Sequence, residues 1–329
     1  MTTMLTSVDE RLRRWSPTRR ARIVIGVIFL ASAGMQMFGV PFTSSFGTRT
    51  RIDLDVYRIG AQIWQQGQSL YADGSMPFTS DGIWLPFTYP PFAALGFVPL
   101  GAMPLAVAGV VMSVLTIALL VLIVHIVLSL LSLGARTNRW WLAALVAAGA
   151  LWLNPVWMTM GFGQVNVILM AMILLDVFVV ARVRKPWTRA QGILVGLASA
   201  IKLTPLVFIA VFAVARRWRA AATAGLTFVL AGAFAAVWLP RDSLGYWTHT
   251  LFHTTRIGDP AGRINQNLNA AWVRILPGVD GQIAWVLSSL AVTVLALCAV
   301  HVCRPREAFA AGAGPPARGH AGLAPLAVA

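Results

Sequence analysis

Asp53 and Asp55 stand two residues apart in RIDLDVYRIG (residues 51–60), just after the first stretch of membrane-spanning length. The chain holds 11 Asp plus Glu against 26 Lys plus Arg, so a carboxylate pair beside apolar sequence is a rare feature of it. A carboxylate there is a candidate general base for a lipid-borne substrate, taking the proton of a hydroxyl as that oxygen attacks. Each acid also has a plain structural use. Asp53 would open a helix, where free backbone amides stabilise a carboxylate. Asp55 has Arg58 three residues on as an ion-pair partner. On a helix the two acids point to nearly opposite sides, so one pocket receives no more than one of them. Asp55 has the local partner, which favours Asp53 as the functional acid of the pair, with cap and base equally open as its role on these residues alone.

Further polar residues interrupt apolar sequence. Leu54, Tyr57, Ala61 and Trp64 recur at helical spacing, opposed by Gln62, Gln65 and Gln66, which predicts an amphipathic helix over 53–70 near the outer membrane interface. Tyr57 and Arg58 on it join the substrate-binding candidates. In FTYPPF (87–92) the prolines make a rigid start to a membrane segment, and Tyr89, held extended by the proline after it, could stack on or hydrogen-bond a sugar. Gly161, Gly163, Gln164 and Asn166 lie where a turn re-enters the bilayer. The glycines suit helix packing, and the amides need partners from other helices or from substrate hydroxyls. Lys202, one of only two lysines, breaks the run ILVGLASAIKLTPLVFIA. With Thr204 beside it, Lys202 could hold a lipid phosphate, the alternative being an ammonium that snorkels from a helix end. Arg256, Arg263, Asn265, Gln266 and Asn267 supply cations and amides suited to phosphate and sugar hydroxyls. His249 and His253 have i, i+4 spacing but no third ligand, so they read as interfacial histidines, and no metal or cofactor is expected. Cys298 and Cys303 indicate neither a disulfide framework nor a zinc site.

The elements that must position these residues are membrane helices. The chain is 58% apolar, with a mean hydropathy of +0.73, and runs at 23–40, 105–133, 220–239 and 284–302 are close to or above spanning length. The net charge of +15 is gathered in short arginine clusters between apolar runs, at residues 11–22, 182–189 and 216–219. That pattern reports topology rather than a nucleic-acid surface. It predicts an all-α polytopic protein of the cytoplasmic membrane with about eight or nine membrane segments. A basic cytoplasmic N-terminus (1–22) precedes a membrane domain (23–302) with outer segments at 42–91, 154–164 and 240–283, and a low-complexity tail follows at 303–329. Residues 92–104 read as a short apolar helix between prolines, and the first run reads as an uncleaved anchor. Arginine connectors fall inside and the chemistry-bearing segments outside.

DLDVYRIGAQIW, LPFTYPPFAAL, NPVWMTMGFGQVN, GLASAIKLTPLVF followed by RRWR, and INQNLNAAWVR resemble, in order over residues 50–275, the landmarks of glycosyltransferase family 87. The resemblance implies a GT-C-type membrane enzyme, independent of metal, that transfers mannose in α-1,2 linkage on the outer face. A polyprenyl-phosphate mannose would be the donor and a mannosylated lipid or lipoglycan the acceptor. The family's catalytic aspartate lies in a D-L-x-V-Y pattern, which falls on Asp53 with Asp55 at the variable position. Relatives also continue through further segments with an S-P-x-S-W-x-H-H stretch that has no counterpart after Val302, which implies a chain shortened at its C-terminal end. Two other readings compete: a lipid-linked-sugar transporter or flippase, which broken helices and a membrane lysine would suit, and an inactive homologue that binds a polyprenyl lipid.

Overall fold

The structure is a computed structural model that describes residues 12, 15–43, 51–72, 74–180, 190–253, 261–262, 265–276 and 281–303. Among the described residues it is helical throughout, with no strand. Helix α1 (Arg19–Phe38) starts where the Thr18 side chain accepts from the Ala21 amide, and it stops at Gly39 with φ 86°. Then come α2 (Ile52–Gln65), the short α3 (Pro91–Gly96) and α4 (Val98–Gly101), and the long α5 (Leu105–Leu130). Next are α6 (Arg139–Ala150), α7 (Asn154–Phe162), α8 (Asn166–Leu174, continued by a π-helical turn, Leu175–Val180) and α9 (Ile193–Ile201). After a 3₁₀ turn (Thr204–Leu206) follow α10 (Val207–Val214), α11 (Trp218–Trp238), α12 (Pro240–Thr248), a second 3₁₀ turn (Thr250–Phe252), α13 (Leu268–Ile275) and α14 (Gln282–Cys303).

Several expectations change. Among the described residues, four helices, α1, α5, α11 and α14, are long and apolar enough to cross a membrane, or five when α6 and α7, bent by 79°, count as one broken span. The eight or nine segments read from hydropathy include runs that helix breakers cut short. Pro155 opens α7, and Lys202 to Pro205 separate α9 from α10. Residues 154–162, expected as an outer connection, form α7 itself. Residues 92–104 give two short helices rather than one.

Helix α2 differs most from expectation. It ends at Gln65, and it does not lie flat with one apolar stripe. Leu54, Val56, Tyr57, Ile59, Ala61 and Ile63 are all buried, in a core shared with Phe87, Phe97, Met112, Val165, Ala198 and Tyr246. Periodicity sees one face; the segment 69–90 and helices α3 and α4 cover the others. Asp242 on α12 fastens that cover, accepting from Ser69 Oγ (2.6 Å) and the Leu70 amide (3.1 Å).

Helix α5 has 26 residues, which makes it about 39 Å long. At its first turn lies the start of α2, with the Ala106 carbonyl facing Arg51. At its far end Arg139 donates to Ser129 Oγ and to the carbonyls of Leu133 and Gly134, and Arg22 lies over the Trp141 ring. Arg139 and Arg22 thus lie at the opposite end of α5 from the α2 core.

Candidate active site

Three chain segments meet at the α2 end: the first turn of α2, the junction of α7 and α8, and the break between α9 and α10. The α7–α8 junction is made by Gly163, at φ 70°, where an added Cβ would lie 2.7 Å from Leu54 Cβ. Only glycine takes that backbone angle without strain and lets the two chains come so close. The break after α9 puts Lys202 at the C-cap in extended geometry. The start of α9 is held by Asp176, a buried acid of the π-helical turn, whose oxygens accept from the amides of Gly192 (2.7 Å) and Val195 (2.8 Å).

The side chains of these segments form one polarised row. Lys202 Nζ donates to Asn166 Oδ1 (3.1 Å), Asn166 Nδ2 donates to Gln164 Oε1 (2.7 Å), and Gln164 Nε2 donates to Asp53 Oδ2. Each amide shows its oxygen to the ammonium side and its nitrogen to the carboxylate side, so the hydrogen bonds reinforce one another. The helix N-cap is Arg51, and Asp53 is turned to Gln164 instead of serving as the cap. Burial raises the Asp53 carboxyl above the usual carboxylate range, opposed by the Gln164 hydrogen bond and the charge on Lys202.

Asp55 is elsewhere. Its Oδ1 pairs with Arg58 Nη1 (2.7 Å), and its Oδ2 accepts from the Ser80 amide (2.8 Å) and Ser80 Oγ (2.7 Å). Arg58 also donates to the Met103 carbonyl (3.0 Å), so this pair staples α2 to the segments over it.

Tyr57 is fully buried, and its hydroxyl meets that of Tyr89 at 2.9 Å. Burial pushes the Tyr57 hydroxyl well above its usual range and that of Tyr89 up to about 12, so both remain neutral. Tyr71 donates to the Tyr89 carbonyl (2.7 Å), and Tyr246 lies 5.2 Å from the Tyr71 ring. All four tyrosines of the chain therefore gather here. Beside them is a cavity of about 320 Å³ bounded by residues 86–90, Lys202, Leu203, Thr204, Tyr246, Thr250, Leu251 and His253. Lys202 sits 5.6 Å from the centre of the Tyr89 ring. The cavity thus has aromatic walls, hydroxyls and one ammonium group, which itself reaches the row ending on Asp53. Such lining suits a sugar ring carrying an anionic substituent.

The expected site divides in two. Asp53, Tyr57, Tyr89, Gln164, Asn166, Lys202 and Thr204 come together. Asn267 is a helix cap, its Oδ1 accepting from the Ala270 amide (2.8 Å), and Asn265, Gln266 and Asn267 are not among the cavity's walls. Arg256 and Arg263, with the tail 304–329, lie outside the described residues. His249 and His253 stack at 3.8 Å, and no group of three or more metal-binding side chains occurs among the described residues. Sequence reasoning missed Tyr71, Tyr246 and Thr250. The signal for the first two was available: tyrosine is scarce in this chain, and every one lies in a segment assigned to the outer side or its edge.

Residues 87–314 match the family model described as Glycosyltransferase family 87. A Mycobacterium tuberculosis protein named polyprenol-phosphate-mannose-dependent alpha-(1-2)-phosphatidylinositol mannoside mannosyltransferase is 40% identical over 294 residues, which are 86% of this chain and 68% of the relative. The protein of the same name from Mycolicibacterium smegmatis is 41% identical over 264 residues, 76% of this chain and 58% of its own. A second Mycobacterium tuberculosis protein, named for a pentamannoside in place of a mannoside, is 32% identical over 302 residues, 91% of this chain and 67% of its own. The chain thus spans about three fifths to two thirds of the length of these relatives. No solved structure is significantly similar to it.

Proposed function

Because the chain belongs to glycosyltransferase family 87, we propose that it transfers mannose from a polyprenyl-phosphate mannose to a phosphatidylinositol mannoside, with Asp53 as general base. The observation that carries this reading is the row Lys202–Asn166–Gln164–Asp53 beside a sugar-sized cavity. It joins a base at one end to a phosphate-binding cation at the other.

The chemistry follows from those two ends. An acceptor hydroxyl oxygen attacks the anomeric carbon of the donor, and the bond from that carbon to the phosphate oxygen breaks. The hydroxyl proton passes to Asp53. The donor phosphate carries one negative charge as a diester and two once it leaves as a monoester. Lys202 Nζ, with the Thr204 hydroxyl, compensates the charge that develops, in a setting where a fixed donor is worth more than in water. A β-linked donor giving an α-linked product needs one displacement with inversion, so one carboxylate suffices and a second nucleophilic acid has no task. Burial raises the pKa of Asp53 and makes it a stronger base, while Gln164 and Lys202 keep it ionised. Tyr57 and Tyr89, neutral and bonded to each other, close the apolar side of the site.

In this reading the end of the bundle that carries Arg22 and Arg139 faces the cytoplasm and the α2 end faces outward in the cytoplasmic membrane. The test is a transfer assay on the purified chain, with labelled polyprenyl-phosphate mannose and a phosphatidylinositol mannoside acceptor in lipid nanodiscs. Labelled acceptor should form with the wild type and not with Asp53→Asn. Equal transfer by both proteins removes the base assignment, and no transfer by a folded wild type removes the proposed activity of this chain.

A further inference from the structure

Arg51 joins α2 to three other helices. It occupies the N-cap of α2 in the left-handed conformation (φ 44°, ψ 36°), a conformation that non-glycine residues rarely adopt. Its amide donates to the Gly161 carbonyl in the last turn of α7 (3.0 Å), and its own carbonyl accepts from the Asp55 amide (3.0 Å). Its guanidinium leaves the other way. Nη2 donates to the Met37 carbonyl in the last turn of α1 (3.2 Å), and Nη1 faces the Ala106 carbonyl in the first turn of α5 (3.4 Å). The carbonyls of a last helical turn lack intrahelical donors and carry the negative end of the helix dipole, so a cation is well placed there.

The guanidinium lies over Gly109 of α5. An added Cβ at Gly109 would fall 1.8 Å from Arg51 Nη1 and 2.3 Å from its Cζ. Glycine is a poor residue for the interior of a helix, and here the missing side chain is the space the arginine fills. Arg51 and Gly109 are thus one device, contributed by segments 58 positions apart in the chain. It fixes both the axial position and the rotation of the first turn of α2, and through Gly161 it does so relative to the α7–α8 junction that carries Gln164.

We propose that Arg51, seated on Gly109, is the positioning residue that holds Asp53 against Gln164, and that it acts on turnover through that alignment. The proposal rests on Asp53 being the base. Displacing a reacting group by about 1 Å can lower a rate about 100-fold, so loss of the seat should appear in kcat rather than in donor binding.

The experiment uses the full chain in nanodiscs as wild type, Arg51→Ala, Arg51→Lys, Gly109→Ala, the double variant Arg51→Ala/Gly109→Ala and Asp53→Asn. Arg51→Ala and Gly109→Ala should each lower kcat by about 10-fold or more with donor KM nearly unchanged. The double variant should be no worse than Arg51→Ala, since both changes remove one contact. Arg51→Lys, which keeps a cation but loses the fork, should restore part of the rate. A second readout is independent of activity. With Cys298 and Cys303 replaced by serine, cysteines at 53 and 164 should be joined by a short bifunctional methanethiosulfonate, and Arg51→Ala or Gly109→Ala should reduce that yield per folded molecule. Wild-type kcat in both variants, multiplicative losses in the double variant, or an unchanged cross-linking yield overturns the proposal. Full activity of Asp53→Asn would instead remove the base reading, and the cross-linking yield still decides whether Arg51 sets the position of residue 53.

Discussion

Asp53 and Asp55 leave the same turn of α2 and enter unlike surroundings. Asp55 is 2% exposed, and both its oxygens are engaged, one by a guanidinium and the other by the amide and hydroxyl of Ser80. Its charge is balanced locally, and its work is to hold the segment around residue 80 over α2. Asp53 is bonded through Oδ2 to a side-chain amide that is itself bonded onward to Lys202. Its counter-charge is three hydrogen bonds away, at the wall of a cavity. The comparison separates a carboxylate with both oxygens engaged from one tied through two amides to a cation at a cavity wall, and the second arrangement is the one that suits a base.

The widest separation between the two acids should come from their amides. Asp53→Asn should lower kcat by about 10²–10⁴-fold at unchanged stability. Asp55→Asn should keep turnover per folded molecule but lose about 3 kcal/mol of stability in a denaturation curve, because Arg58 is left without its counter-ion. A large kcat loss in Asp55→Asn with full stability would erase the distinction.

Next in size is the far end of the row. Lys202→Met should cost about 10²–10³-fold in kcat, as loss of a charge-stabilising donor does. It should also move the acid limb of the pH profile. Transfer needs the Asp53 carboxylate ionised, so activity falls as pH drops through its pKa, which burial already raises. The ammonium favours the anion; without it that pKa rises further and the limb moves to higher pH. Gln164→Leu removes the other stabilising partner, so its limb should move the same way with a smaller loss of maximal rate. A limb moving toward acid in either variant contradicts the row. Smallest is Tyr57→Phe, which removes one hydroxyl from a neutral pair and should cost about 1 kcal/mol of stability with little change in pH profile.

The carboxylate pair, Tyr89, the Gln164–Asn166 amides and Lys202 were legible because polar residues in apolar sequence need a purpose that one can ask about directly. The Arg58 partner three residues away also told the two acids apart. The burial of α2 was not legible: its apolar stripe suits an interface, and only the segment folded over it makes a core of its other faces. Helix ends were not legible for a related reason, since hydropathy counts apolar residues while prolines and Lys202 decide where helices end. Asp176 and Arg51 stayed hidden because their partners are backbone groups of distant segments, which residue types do not announce. The amides at 265–267 show that composition does not choose between two uses: it suits a sugar, and Asn267 is a helix cap, a use equally natural for asparagine.

The most direct measurement is rescue by a small carboxylate. Asp53→Ala and Asp55→Ala are assayed for mannosyl transfer with and without added formate at constant ionic strength. Saturable recovery of transfer in Asp53→Ala, with no formate effect in Asp55→Ala, is the predicted result. Transfer by Asp53→Ala at the wild-type rate without formate, or recovery confined to Asp55→Ala, would contradict the assignment of the base.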